Sequence, residues 1–111
     1  GDVYKRQGMN IDFMEKIEAL RERMGFPFIV TSGYRCSKHP IEIEKYTVGA
    51  HVTGRAIDVS VYGENAYKLL RGALKAGFTG IGVNQKGGAR FIHIDDIEKS
   101  PERPRPWVWS Y

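Results

Sequence analysis

Cysteine is almost missing from this chain. The single Cys36 among 111 residues excludes an intrachain disulfide and any cysteine-rich metal site, and it reads as a small half-buried residue rather than a nucleophile. No apolar run approaches the roughly 20 residues needed to span a bilayer, so membrane insertion is not expected. The N-terminus also lacks the apolar stretch of a secretory signal, which points to synthesis in the cytoplasm and release by some other factor if the protein works outside it. Internal repeats and low-complexity stretches are absent as well. The net charge of +4 is spread thinly, without a nucleic-acid-binding motif or alternating aromatics for base stacking, so nucleic acid is not an expected partner. A mild attraction to an anionic polymer fits the same charge.

What is present suits one modest domain. A chain of this length, 41% hydrophobic, can bury a single core and has no room for a second. Residues 1–7 neither alternate nor repeat at helical spacing. Residues 1–8 are therefore expected to be a dispensable leader, non-native or disordered, with Met9 a candidate start and 9–111 the single domain. From Asn10 onward, Phe13, Met14, Ile17, Leu20 and Met24 recur at the spacing of one buried helix face, stopped by Gly25 and Pro27. A second helix is expected over 64–76, burying Ala66, Leu69, Leu70 and Ala73, with Gly77 as its cap.

Strands are expected over 28–32, 55–61, 80–83 and 90–94, with a turn over 85–88. The segment 34–54 reads mostly as loop, with a possible short helix over 40–46, and the tail is rich in Pro and Trp. Loops of that length are usually functional or mobile.

The chemistry concentrates in two places: Gly49-Ala50-His51-Val52-Thr53-Gly54-Arg55-Ala56-Ile57-Asp58, and Phe91-Ile92-His93-Ile94-Asp95. Alternate strand residues point to opposite faces, so Asp58 turns away from Ile57 and Val59, and His93 and Asp95 turn away from Ile92 and Ile94. If the two strands are close, Asp58 and His93 converge. His51 would join them from the preceding turn, where Gly54 can bend the chain. A lone His or an outward Asp is more often a solvated or hydrogen-bonded residue. Together, two imidazoles and a carboxylate are the donor set of a catalytic zinc, with the fourth position left to water.

These motifs carry a family resemblance. Thr31-Ser32-Gly33-Tyr34-Arg35-Cys36, then His51-x-x-Gly54-x-Ala56-x-Asp58, then Gly77-Phe78-x-Gly80-Ile81-Gly82 and Phe91-Ile92-His93-Ile94-Asp95 run in the order seen in M15 zinc peptidases. The chain resembles that family from about Phe28 to Trp107. The family includes D-alanyl-D-alanine carboxypeptidases and phage endolysins that cut peptidoglycan stem peptides.

The resemblance implies an α+β fold of the Hedgehog/DD-peptidase type: a small, mainly antiparallel sheet with helices packed on one face and the metal on the other. It implies Zn2+ held by His51, Asp58 and His93, with the pKa of a bound water lowered toward about 7. Arg35 matches the family's substrate-binding arginine, placed to hold a stem-peptide carboxylate or a developing oxyanion through paired hydrogen bonds, the alternative being a surface salt bridge.

One position departs from the pattern. Many relatives carry a Glu three residues before the last ligand, where this chain has Arg90, which cannot accept a proton. Asp95 is the local candidate for the catalytic base, and equally a partner that holds a ligand imidazole in place. His39 reads as a loop residue, Ser32 as a brace of its turn, and Glu42, Glu44 and Glu64 as solvated charges. Trp107 and Trp109 either wall the pocket or pack the tail onto the sheet.

The expected function is hydrolysis of peptidoglycan stem peptides, as a D,D-carboxypeptidase or an endopeptidase. The expected state is a monomer acting on the bacterial cell wall, and the small size suits a phage-encoded lysis enzyme. The alternative is a zinc-stabilised wall-binding or structural module without turnover, which Arg90 would permit.

Overall fold

The structure is a computed structural model, and it describes residues 9–32 and 54–111. The leader expected over 1–8, the short helix expected over 40–46, and Arg35, Cys36, His39 and His51 lie outside the described residues.

Helix α1 runs Ile11–Met24. The Asn10 side chain accepts a hydrogen bond from the Phe13 N–H at 2.9 Å, satisfying one of the donors that a helix start leaves open. Gly25 closes the helix at φ 78°, its N–H bonding the Arg21 carbonyl; a Cβ is poorly tolerated at that dihedral. Phe13, Met14, Ile17 and Leu20 are buried, and Met24 packs against the core from its edge, as the spacing predicts. Helix α2 runs Gly63–Ala76 and ends at Gly77 (φ 89°), burying Ala66, Leu69 and Ala73, with Leu70 half-buried. The two helices approach closely at Gly72, where a side chain would run into Met24 and Leu20.

The strands are β1 (Ile29–Ser32), β2 (Ala56–Ser60), β3 (Gly80–Asn84), β4 (Phe91–Asp95) and β5 (Trp107–Ser110). They form one sheet in the order β1-β2-β4-β3-β5. Pairing is antiparallel except between β3 and β5, which run parallel. The domain is thus α+β with a mixed, mainly antiparallel sheet. The fifth strand comes from the Pro- and Trp-rich tail, where no strand is expected from the sequence: its proline-flanked run is too short to announce itself, and pairing with β3 defines it.

Ile57, Val59, Ile81, Ile92 and Ile94 are all buried and form one core with the apolar faces of α1 and α2. Phe13 and Phe78 meet edge to face within it, their centroids 6.2 Å apart. Because strand residues alternate, the same packing directs Asp58, His93 and Asp95 to the opposite face. No helix among the described residues is long and apolar enough to cross a membrane.

Candidate active site

The site is built from two neighbouring rows of the sheet's other face. Asp58, His93, Gly82 and Trp109 are successive cross-strand partners on β2, β4, β3 and β5, and Ala56, Asp95, Gly80 and Trp107 form the next row. Asp58 and His93 therefore sit directly opposite each other, as strand parity suggests if β2 and β4 are neighbours. Ser32, at the end of β1, is paired with Asp58 across an irregularity in the ladder. Gly54 has φ 75°, and its carbonyl accepts the Asn10 N–H at 2.8 Å, fixing the end of the His51–Asp58 motif against the start of α1.

His93 is held from both sides. Its Nδ1 lies 3.1 Å from Asp58 Oδ1 and its Nε2 2.6 Å from Asp95 Oδ2. Burial works against a charged ring, but the hydrogen bonds to Asp58 and Asp95 prevail and raise the His93 pKa above its ordinary value. When protonated, the ring donates to both carboxylates. Burial would likewise raise the Asp95 carboxyl, yet hydrogen bonds from His93 and Arg105 outweigh it and hold the group at about 2.

Asp95 is fully buried and has no spare capacity. Its Oδ1 accepts from Arg105 Nε at 3.0 Å and from the Ile97 N–H at 3.3 Å, while Oδ2 accepts from Arg105 Nη2 at 2.8 Å and faces His93 Nε2. Space for this carboxylate exists because Gly80 stands opposite: a Cβ there would collide with it. Gly82 plays the same part for Trp109, whose indole nitrogen would be 2.6 Å from an added Cβ. The indole lies beside His93, ring centroids 4.9 Å apart, and under the Arg105 guanidinium. Trp109 thus packs the tail onto the sheet and flanks His93, while Trp107 is 54% exposed.

Asp96, the neighbour of Asp95 in sequence, faces elsewhere. It is paired with Arg55 at 2.8 and 2.6 Å and with Lys16 at 2.8 Å. Arg90 is exposed, with its guanidinium 4.7 Å from the centroid of the Tyr62 ring beside α2. Glu64 is solvated and paired with Lys68 one helical turn on.

The sequence model of the family described as Peptidase M15 matches residues 3–95. The chain belongs to the M15 peptidase family. Membership makes it a peptidase, a hydrolase of the metallopeptidase kind, and M15 peptidases are generally zinc-dependent. No curated protein and no solved structure gives a significant match.

The M15 match ends at Asp95, so Arg105 and Trp109 fall outside it. Trp109 takes the place its sequence reading offered, on the sheet and beside the pocket, whereas Arg105 is not anticipated from the sequence, although a signal was available. Gly80 and Gly82 alternate with Ile81 and Val83, and glycine confined to one face of a strand often marks a close approach from that side. Arg105, Trp107 and Trp109 share one parity and supply the approach.

The M15 motif residues His51 and Arg35 lie outside the described residues. Among the described residues no group of three His, Cys, Asp or Glu side chains is arranged to hold a metal ion; Asp58 and His93 are two such donors facing each other.

Proposed function

We propose that the chain is a zinc-dependent peptidase that hydrolyses peptidoglycan stem peptides, as a D,D-carboxypeptidase or an endopeptidase. The observation carrying this reading is the 3.1 Å approach of Asp58 Oδ1 to His93 Nδ1, with His93 Nε2 already taken by Asp95. A carboxylate oxygen and an imidazole nitrogen facing each other are donors that zinc accepts. The ring nitrogen on the Asp58 side is the one left to ligate.

His51 is the third ligand in this reading, three residues before the turn at Gly54. Such a set leaves the fourth position open, and when bound, zinc supplies the Lewis acidity that makes water nucleophilic near neutral pH. Asp58 offsets part of the metal's charge. Arg35 binds the substrate carboxylate or the developing oxyanion through its paired donors. Trp109 covers one flank of His93 and keeps that side dry.

Asp95 fits the orienting role better than that of a base. A carboxyl held at about 2, closed in by a guanidinium fork and a backbone N–H, is a poor proton acceptor near neutral pH. Apart from Asp58 and Asp95, no strand residue on this face carries a carboxylate among the described residues. That observation favours a second reading: a zinc-stabilised, wall-binding module without turnover. The charge of +4 suits an anionic wall polymer in either case. In this reading the protein acts as a monomer on the bacterial cell wall.

The test is mass spectrometry of purified peptidoglycan fragments incubated with zinc-loaded protein, beside a chelator-treated control. Chelator-sensitive loss of a terminal alanine identifies a carboxypeptidase, and opened cross-links identify an endopeptidase. Zinc-bound protein that yields no new product rejects the hydrolase and leaves the binding module.

A further inference from the structure

Arg105 lies ten residues beyond Asp95, outside the segment matched by the family, in a tail that carries no recognisable motif. All three guanidinium nitrogens are nonetheless committed. Nε and Nη2 grip the two oxygens of Asp95 at 3.0 and 2.8 Å, and Nη1 donates to the Pro104 carbonyl at 2.7 Å. The side chain is 6% exposed and lies over the Trp109 ring, 5.3 Å from its centroid.

A buried ion pair of this kind contributes little net stability compared with apolar residues of similar volume, because both charges must leave water. Stability alone therefore gives a weak account of it, whereas the carboxylate it holds touches a ring nitrogen of His93. With its oxygens taken by the fork and by the Ile97 N–H, Asp95 has one fixed position, and its Oδ2 is an acceptor aimed at His93 Nε2. In the neutral ring that a metal ion requires, the hydrogen then belongs on Nε2. The Nδ1 lone pair of that neutral ring lies on the Asp58 side.

We propose that Arg105 is a positioning residue for the metal site: by clamping Asp95 it fixes the rotation and tautomer of His93, presenting Nδ1 to the ion. This inference rests on the reading of Asp58 and His93 as metal ligands. Arg105 itself touches neither the ion nor the substrate.

The fold supplies a matched control. One residue along the chain, Asp96 is gripped by Arg55 in the same two-pronged way. Removing either fork costs one Arg–Asp pair, but only the Arg105 fork leads to a ligand.

The experiment measures zinc affinity by competition with a chromophoric chelator, and the His93 ring 15N signals by NMR, in the full chain and in Arg105→Gln, Arg105→Lys and Arg55→Gln. Arg105→Gln is expected to bind zinc about 10- to 100-fold more weakly, with His93 signals shifted toward a mixture of tautomers. Arg105→Lys, which keeps the charge but loses the planar fork, is expected to fall between it and the parent. It also carries the test if the Gln variant fails to fold. Arg55→Gln should keep parental zinc affinity and His93 signals even if it melts earlier.

Parental affinity and unchanged His93 signals in a folded Arg105 variant overturn the proposal, as does an equal loss in Arg55→Gln. A parent chain that binds no zinc overturns the metal site itself, a result distinct from either of these.

Discussion

The two faces of the sheet are made by the same strands and held by opposite means. On the helix side, Ile57, Val59, Ile81, Ile92 and Ile94 lose their contact with water against α1 and α2, and the stabilisation scales with area and tolerates exchange among similar shapes. On the other side, Asp58, His93, Asp95 and Arg105 form a chain of charged hydrogen bonds in which each member has a specific partner. Losing one member there strands another charge out of water. One residue of register separates the two regimes, so adjacent positions on β4 answer to different physics.

That contrast is sharpest at neighbouring residues. Ile94→Ala should lower unfolding free energy by about 2–5 kcal/mol in urea titrations, the usual cost of emptying a buried aliphatic site. His93→Ala should retain cooperative folding yet hold no zinc after dialysis and show only background hydrolysis. A His93→Ala chain that still binds zinc stoichiometrically would break the division of labour between the faces.

The glycines test it next. Gly80→Ala drives a methyl group into the Asp95 carboxylate and should cost about 1–3 kcal/mol while also weakening zinc binding. Gly88→Ala, which meets open space, should change stability by less than about 0.5 kcal/mol and leave zinc untouched.

A pH effect should follow in the metal-free protein. Asp95, depressed to about 2, stabilises the fold above about pH 4, and that contribution, on the order of 2 kcal/mol, disappears as pH falls toward 2. His93, raised, stabilises it below about pH 6.5 and loses that contribution as pH climbs through the raised value. Urea melts should therefore place the greatest contribution of this face between about pH 4 and 6.5, and Asp95→Asn should flatten the acid limb. The smallest effect belongs to Lys16→Ala, which removes a half-exposed partner of Asp96 and should cost about 0.2–1 kcal/mol in the same melts.

The helix-facing side was the legible one. Helical spacing from Phe13 to Met24 and the alternation of Ile57 with Val59 and of Ile92 with Ile94 announce burial directly, because periodicity is what a continuous apolar face requires. The same alternation brought Asp58 and His93 to one side, and the register then placed them opposite each other. The brace was hidden because its members are far apart in sequence and of unremarkable type. Arg105 reads as one of many surface arginines until β5 pairs with β3 and carries it over Asp95. Gly80 and Gly82 were visible as strand residues, but what they make room for comes from the tail.

The parallel pairing of β5 with β3 also sets an order of events during synthesis. Asp58 and His93 leave the ribosome before Arg105 and Trp109 do, His93 by on the order of a second and Asp58 by several seconds at about 5–20 residues per second. A nascent chain, or one clipped after Asp95, therefore has Asp58, His93 and Asp95 but lacks the guanidinium that clamps Asp95. If Asp58 and His93 hold zinc, the ion should bind more weakly until the tail is in place, and a chain clipped before Arg105 should lose zinc affinity along with the stability that β5 and the Arg105–Asp95 pair supply.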